Sequence, residues 1–260
     1  MIRNMSKKKV GILGFGEIGG SLKSVYDDYP EKFDVFVKDL DYDDGLQDLD
    51  VLNVCIPYSD KFDEIVLREI NECQAKLTII NSTILPGTTK SIRKKLNKKF
   101  KIVHSPVRGV HPELYEGIKT FVKFIGAEDD LSRRLAVSHY KALKIKTECC
   151  DNSVTTELGK ALSTTYYGVV IALHGEMSKL CSQVGASFDQ SITRFNQTYN
   201  SGYVALGKSN LVRPVLYPPQ GDPPFIGGHC VVPNAELLSS RFESPILDLI
   251  MSYRREDTQK

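Results

Sequence analysis

Through the first 150 residues, short apolar runs alternate with stretches whose apolar positions recur at helical spacing. KVGILG (9–14) reads as a buried strand entering a turn, and GFGEIGG then opens a helical stretch, SLKSVYDDY. FDVFVKD (33–39) and LDVLNVCIP (49–57) are two further strands. KFDEIVLREINEC (61–73) places Phe62, Ile65, Val66 and Ile70 on one helical face. LTIINST (77–83) is a strand, and TTKSIRKKLNKKF (88–100) a helix started after Pro86-Gly87. KIVHSP (101–106) and FVKFIGA (121–127) complete the strands, and a charged helix runs from Asp130 to about Leu143.

Strands alternating with helices predict βαβ units. The expected fold class is α/β, a Rossmann-type doubly wound, mostly parallel sheet followed by a smaller helical domain. The pattern changes near residue 150, where the domain boundary is placed: 1–150 for the first domain and 151–260 for the second. From Ser153 to Gly185 the chain reads as one long helix. Gly159, Gly168 and Gly175 weaken it by propensity but permit close packing. An irregular, Pro- and Gly-rich segment (199–233) follows, then a further helical stretch to the C-terminus.

Composition narrows the class little. A 41% hydrophobic and 25% charged chain is ordinary for a globular protein, and 260 residues suit two modest domains. A formal charge of +2 gives no reason to expect nucleic acid or a membrane surface. The basic run RKKLNKKFK (93–101) reads as a solvated face. The longest apolar run, YYGVVIAL (166–173), is far too short to span a bilayer. Glu17 and the glycines around it interrupt the only stretch resembling a signal peptide. The six cysteines follow no framework or zinc-ligand spacing, so cytoplasmic, reduced thiols and no metal are expected.

Gly14-Phe15-Gly16-Glu17-Ile18-Gly19 matches G-x-G-x-x-G in the context that gives the pattern meaning. It follows an apolar strand, opens a helix, and has Asp39 twenty residues beyond Gly19 at the end of the second strand. The first glycine permits the tight turn, the second lets backbone approach a pyrophosphate, and the third lets helix and strand pack. The helix N-terminus offers unpaired N–H groups to phosphate. Asp39 would accept hydrogen bonds from a ribose and repel a 2′-phosphate, so NAD is expected in preference to NADP; Lys38 beside it works against that preference. In the second half, FIGGHC (225–230) sets His229 and Cys230 behind Gly227 and Gly228, where a close approach to the backbone is expected.

In order along the chain, these segments resemble the UDP-glucose/GDP-mannose dehydrogenase family of nucleotide-sugar dehydrogenases. GFGEIGG matches the cofactor turn, and NSTILPGTT (81–89) the Ser-Thr-Val-x-x-Gly-Thr loop. HSPVR (104–108) occupies the place of a Ser-Pro-Glu stretch. ELGKALSTTYYGVVIALHGEMSKLCSQVGASFD (157–189) is similar to the Glu-x-x-Lys helix, and IGGHC to the Gly-Gly-x-Cys signature. PILDLIMSYRRED (245–257) resembles the start of a second central helix.

The resemblance implies oxidation of a nucleotide-sugar alcohol to the acid with two NAD. An aldehyde cannot lose hydride directly; a thiolate adds to it, and the thiohemiacetal can. By resemblance Cys230 is that nucleophile. Lys160 is the candidate cation that favours its thiolate and steadies oxyanions. His229 is a candidate base, Thr83 is expected beside the nicotinamide and substrate, and Pro57 among the cofactor-binding residues. Substrate contacts are expected from Lys160, Tyr199, Asn200, Tyr203, Arg213, Gly227 and Gly228. The family pairs through the long helix, so a homodimer is expected, with Leu162, Val169, Val170, Leu173 and Leu180 either at that interface or in the core.

The chain departs from the family at Val107, Thr164 and Asn234, which stand where a glutamate, an asparagine and an acidic residue are found. His104, His229 or Glu157 are candidate substitutes. It also stops where a third, nucleotide-binding domain is expected, as a fragment or a short form. Two alternatives therefore remain: a single-step hydroxyacid-type dehydrogenase using Lys160, and a degenerate, non-catalytic NAD-binding protein.

Overall fold

The computed structural model describes residues 6–109 and 112–255. The last five residues of the charged tail YRREDTQK lie outside the described residues. The chain divides into two compact units, Met1–Lys160 and Ala161–Lys260.

The first unit is built on an eight-stranded sheet. Its strands are β1 (Lys8–Leu13), β2 (Phe33–Asp39), β3 (Tyr42–Asp43), β4 (Val51–Val54), β5 (Leu77–Ile80), β6 (Lys101–His104), β7 (Lys123–Gly126) and β8 (Thr147–Cys150). They lie in the order β3-β2-β1-β4-β5-β6-β7-β8. Pairing is parallel from β2 through β6 and again between β7 and β8; only β3 on β2 and β7 on β6 run antiparallel. The sheet is thus of the mostly parallel, doubly wound type.

Strand residues alternate between two hydrophobic cores, which is why the central strands read as continuous apolar runs. Val51, Ile79 and Val103 join α1 (Glu17–Asp27), α4 (Leu114–Thr120) and α5 (Asp130–Ala142) on one face. Leu52, Ile80 and Ile102 join α2 (Phe62–Glu72) and α3 (Thr88–Lys95) on the other. The chain leaves β1 for β2 on one side and returns to β4 on the other. That reversal opens a crevice at the carboxyl ends of β1 and β4, where open α/β sheets take their ligands.

Several elements differ from expectation. The helix expected over 88–100 ends at Lys95. Leu96 turns extended at ψ 145° and is buried, while the side chain of Asn97 caps Lys99 N–H at 2.9 Å. Arg93, Lys94 and Lys95 therefore occupy the last turn, where cations suit the helix dipole.

The long helix α6 runs Ser153–Gln183. In the second unit Gly168 and Gly175 serve close packing: a Cβ at Gly168 would meet Ile250 Cδ1 at 2.9 Å, and one at Gly175 would meet Tyr253 Cζ at 2.6 Å. Gly159 faces no such neighbour. The segment expected to be irregular over 199–233 starts inside a helix, α7 (Arg194–Ala205), and ends in another, α8 (Val231–Ser239). Between them lie a 3-10 turn and a hairpin of β9 (Gln220–Gly221) with β10 (Pro224–Phe225). None of α7's residues is buried, although Phe195, Tyr199 and Tyr203 recur along it at helical spacing. The expected C-terminal helical stretch is α8 followed by α9 (Pro245–Met251).

Candidate active site

The glycine turn sits at the crevice. Gly14 has φ +90°, and a Cβ there would meet Cys55 C and Ile56 Cγ2, both at 2.9 Å. A Cβ on Gly19 would collide with the carbonyl oxygen of Gly14, so the helix can start tight against the turn only with glycine there. Around Gly16 the space within 4 Å is open, and as N-cap of α1 it makes no side-chain cap. A glycine with open space around it at the start of a helix, where the dipole favours negative charge, fits the approach of a phosphate. Phe15 and Glu17 are exposed, and Ile18 packs against the core.

Asp39 is brought directly to this turn: its carboxylate accepts from Phe15 N–H at 2.6 Å and from Leu40 N–H at 2.7 Å. These backbone donors hold it below the usual carboxylate range, Phe15 first. Lys38 is turned to other work. Its Nζ lies 2.9 Å from buried Glu69 and 3.4 Å from Asp43. The charge that opposed the Asp39 argument is thus already compensated.

The loop after β5 carries the other candidates of this unit. Ser82 Oγ donates to Ile56 O at 2.6 Å, next to exposed Pro57, and Thr83 follows half-buried. His104, at the end of β6, is fully buried. Its Nε2 lies 3.1 Å from Ser82 O and its Nδ1 2.8 Å from Thr156 Oγ1. Burial pushes it down to about 3, so it is neutral. With both nitrogens engaged, His104 cannot stand in for a missing general base.

Glu157 is not such a substitute either. Its buried carboxylate accepts from Gly87 N–H at 2.5 Å and Thr89 N–H at 2.8 Å, capping α3 from α6. Burial nevertheless raises it above the usual carboxylate range. Lys160 lies one turn further along α6, close enough to act electrostatically on His104 and on Lys123.

Lys123 is a polar residue the sequence reading missed. It is 2% exposed, and its Nζ donates to Asn81 Oδ1 at 2.9 Å and Ser105 O at 2.6 Å. From Asn81 the bonds continue through Asn53 to Tyr26, whose hydroxyl lies 2.6 Å from His139 Nε2. Desolvation lowers the Lys123 amine to about 7. A signal existed: in FVKFIGA, Lys123 shares its strand face with buried Ile125.

In the second unit, Tyr199, Asn200, Tyr203 and Arg213 come together. The Arg213 guanidinium lies 3.6 Å from the Tyr199 ring centroid, and the Tyr199 and Tyr203 rings are 4.6 Å apart. Asn200 fixes the Arg213 backbone with two bonds of 2.8 and 2.7 Å. Cys230 is the half-buried N-cap of α8, after exposed His229. Gly228 has φ +88° with open space around it, and Gly227 has only Phe225 near by. Turn geometry, rather than crowding, requires glycine at 228. Thr164 and Asn234, two of the departures from the family pattern, bond to each other, Asn234 Nδ2 donating to Thr164 Oγ1 at 2.7 Å. Val107, the third, is buried in the core of the first unit.

The sheet order, the glycine turn and the carboxylate facing it define a Rossmann-type fold with the turn geometry of a dinucleotide fingerprint. No family model matches the chain. A UDP-N-acetyl-D-mannosamine dehydrogenase of Methanococcus maripaludis is 29% identical over 155 residues, 60% of this chain and 33% of the relative. Among solved structures, UDP-D-ManNAc dehydrogenase from Pyrococcus horikoshii superposes with TM-score 0.74 at 20% identity, over 95% of this chain and 68% of that one. A 3-hydroxyisobutyrate dehydrogenase of Mycobacterium tuberculosis shares the fold at TM-score 0.65 and 14% identity, over 95% of this chain and 92% of that one. The chain is thus similar in sequence to UDP-N-acetyl-D-mannosamine dehydrogenases, and its match spans about a third of the length of these curated relatives.

Proposed function

We propose that the chain is an NAD-dependent dehydrogenase that oxidises the alcohol of a nucleotide sugar or a related polyol. The observation that carries this reading is the turn at Gly14–Gly19 with Asp39 bonded to Phe15 N–H, in a chain related to UDP-N-acetyl-D-mannosamine dehydrogenases. When bound, NAD supplies the hydride acceptor. Gly14, Phe15, Gly16, Glu17, Ile18 and Gly19 would hold its pyrophosphate, Asp39 its ribose, and Pro57 and Thr83 would border the nicotinamide.

Lys160 takes the proton of the alcohol as hydride leaves its carbon, and Thr83 orients the substrate. In the full reaction the Cys230 thiolate adds to the resulting aldehyde. The thiohemiacetal gives up a second hydride, and water cleaves the thioester to acid and free thiol. Cys230 is the N-cap residue of α8, and exposed His229 beside it can relay the thiol proton. Tyr199, Asn200, Tyr203 and Arg213, with Gly227 and Gly228, would form the substrate surface: two neighbouring aromatic rings and a guanidinium suit a nucleotide. The test is NADH formed per substrate across UDP- and GDP-sugars, with Cys230→Ser beside the parent. Two equivalents falling to one or fewer in the variant supports the thiol route; two equivalents retained in the variant refutes it.

The Asn234–Thr164 bond favours a second reading, in which one hydride is transferred and Cys230 takes no part. Asn234 lies one helical turn after Cys230, and neither an amide nor a hydroxyl can take a proton from a deacylating water. One NADH per substrate in the parent and two in Asn234→Asp would establish it. One in both would leave the carboxylate argument without support.

A homodimer is also proposed. Leu162, Tyr166, Leu173 and Leu180 are exposed at helical spacing on α6. Sedimentation at micromolar concentration as a monomer refutes pairing.

A further inference from the structure

Two consecutive residues of α6, Thr156 and Glu157, reach the same loop, and they reach it at both ends. Thr156 does so through His104. Ser82 O can only accept, so His104 Nε2 carries the proton and donates at 3.1 Å, leaving Nδ1 as the acceptor facing Thr156 Oγ1 at 2.8 Å. Glu157 takes hold at the far end, accepting from Gly87 and Thr89 N–H at 2.5 and 2.8 Å. Thr83 lies between these anchors, and Lys160 follows Glu157 by three residues on the same helix.

All three linking side chains are buried, at 0% exposure for His104 and Glu157 and 4% for Thr156. A carboxylate in such a place is expensive to bury, and its two N–H donors, with the α3 dipole behind them, offset part of that cost. A leucine would fill the volume without this geometry. The arrangement therefore specifies position rather than stability alone.

We infer that His104, Thr156 and Glu157 form a positioning unit that fixes the Thr83 loop relative to Lys160. The inference rests on the dehydrogenase reading, in which Thr83 and Lys160 touch the reacting substrate. A displacement of about 1 Å between such groups is enough to cost on the order of a hundredfold in rate. The unit touches neither the glycine turn nor Asp39, so its loss is expected in kcat far more than in NAD affinity.

The test compares Glu157→Gln, His104→Leu and His104→Gln with the parent. It measures kcat and KM with the active nucleotide sugar, NAD affinity, and amide hydrogen exchange over residues 82–89. Glu157→Gln keeps one acceptor but turns amide hydrogens toward a backbone N–H. It is expected to lower kcat about tenfold or more, with NAD affinity changed less than about threefold. His104→Gln, whose amide can still donate to Ser82 O, is expected to recover most of the kcat lost in His104→Leu. A rescue of this kind separates positioning from mere folding.

Unchanged kcat in Glu157→Gln overturns the inference, as does an equal loss in both His104 variants. If the parent oxidises no substrate, the dehydrogenase reading fails. The clamp is then judged by exchange alone: protection over 82–89 that is equal in parent and Glu157→Gln refutes it, and protection lost in the variant supports it.

Discussion

Replacing Lys123 with methionine removes a buried amine that is bonded to an amide and a carbonyl oxygen rather than to a carboxylate. Its ordinary value is 10.5, and burial, the main cause, lowers it to about 7, with the Lys160 charge acting in the same direction. The unfolded chain keeps this amine protonated up to about pH 10.5, whereas the folded chain releases the proton near pH 7. Below about pH 7 both states are charged and the full penalty of a buried ammonium stands. As pH rises from 7 toward 10.5 the penalty is relieved, by up to about 1.4 kcal/mol per pH unit.

Between pH 7 and 8.5 the native state should therefore gain roughly 1.5 kcal/mol from Lys123. Above about pH 9 the buried thiols reverse the trend. Burial raises Cys55 to about 12 and Cys73 to about 11, so the unfolded thiols ionise first and the native state loses ground. A stability maximum on the alkaline side of neutrality follows. The assay is urea unfolding followed by far-UV circular dichroism at several pH values from about 6.5 to 8.5, on the parent and Lys123→Met. Their difference cancels every other titrating group. It should change by roughly 2 kcal/mol across that range, in the sense that the parent gains on the variant as pH rises. A difference that stays constant with pH would refute the assignment of a neutral buried amine.

Gly19→Ala should cost about 3 kcal/mol or abolish NAD binding, because its Cβ is driven into Gly14 O; thermal unfolding and a titration with NAD read both outcomes. Asp39→Ser should weaken NAD about tenfold while narrowing the preference over NADP, measured by paired titrations. Unchanged NAD affinity would remove Asp39 from the cofactor site.

Much of the first unit follows from local chemistry legible along the chain. Continuous apolar runs must be buried on both faces, so VLNV, LTII and KIVH demand a sheet covered by helices on both sides. The glycine turn and the acidic residue at the end of β2 are likewise local requirements: φ +90° at Gly14 and a Cβ-free contact at Gly19 can be met by little else. The sequence does not carry the order of contacts that follows from folding. Nothing in KIVHSP separates a catalytic histidine from one buried between Ser82 and Thr156, and nothing in TTELGK shows that Glu157 caps a helix begun seventy residues earlier. Lys123 could be placed on a strand, but only the packing of Asn81, Ser105 and Tyr140 of α5 around it decides that its amine is dry. Residue type and period act over a few neighbours and are written in order along the chain. Desolvation and capping depend on partners that are distant in sequence, and tertiary structure alone chooses those partners.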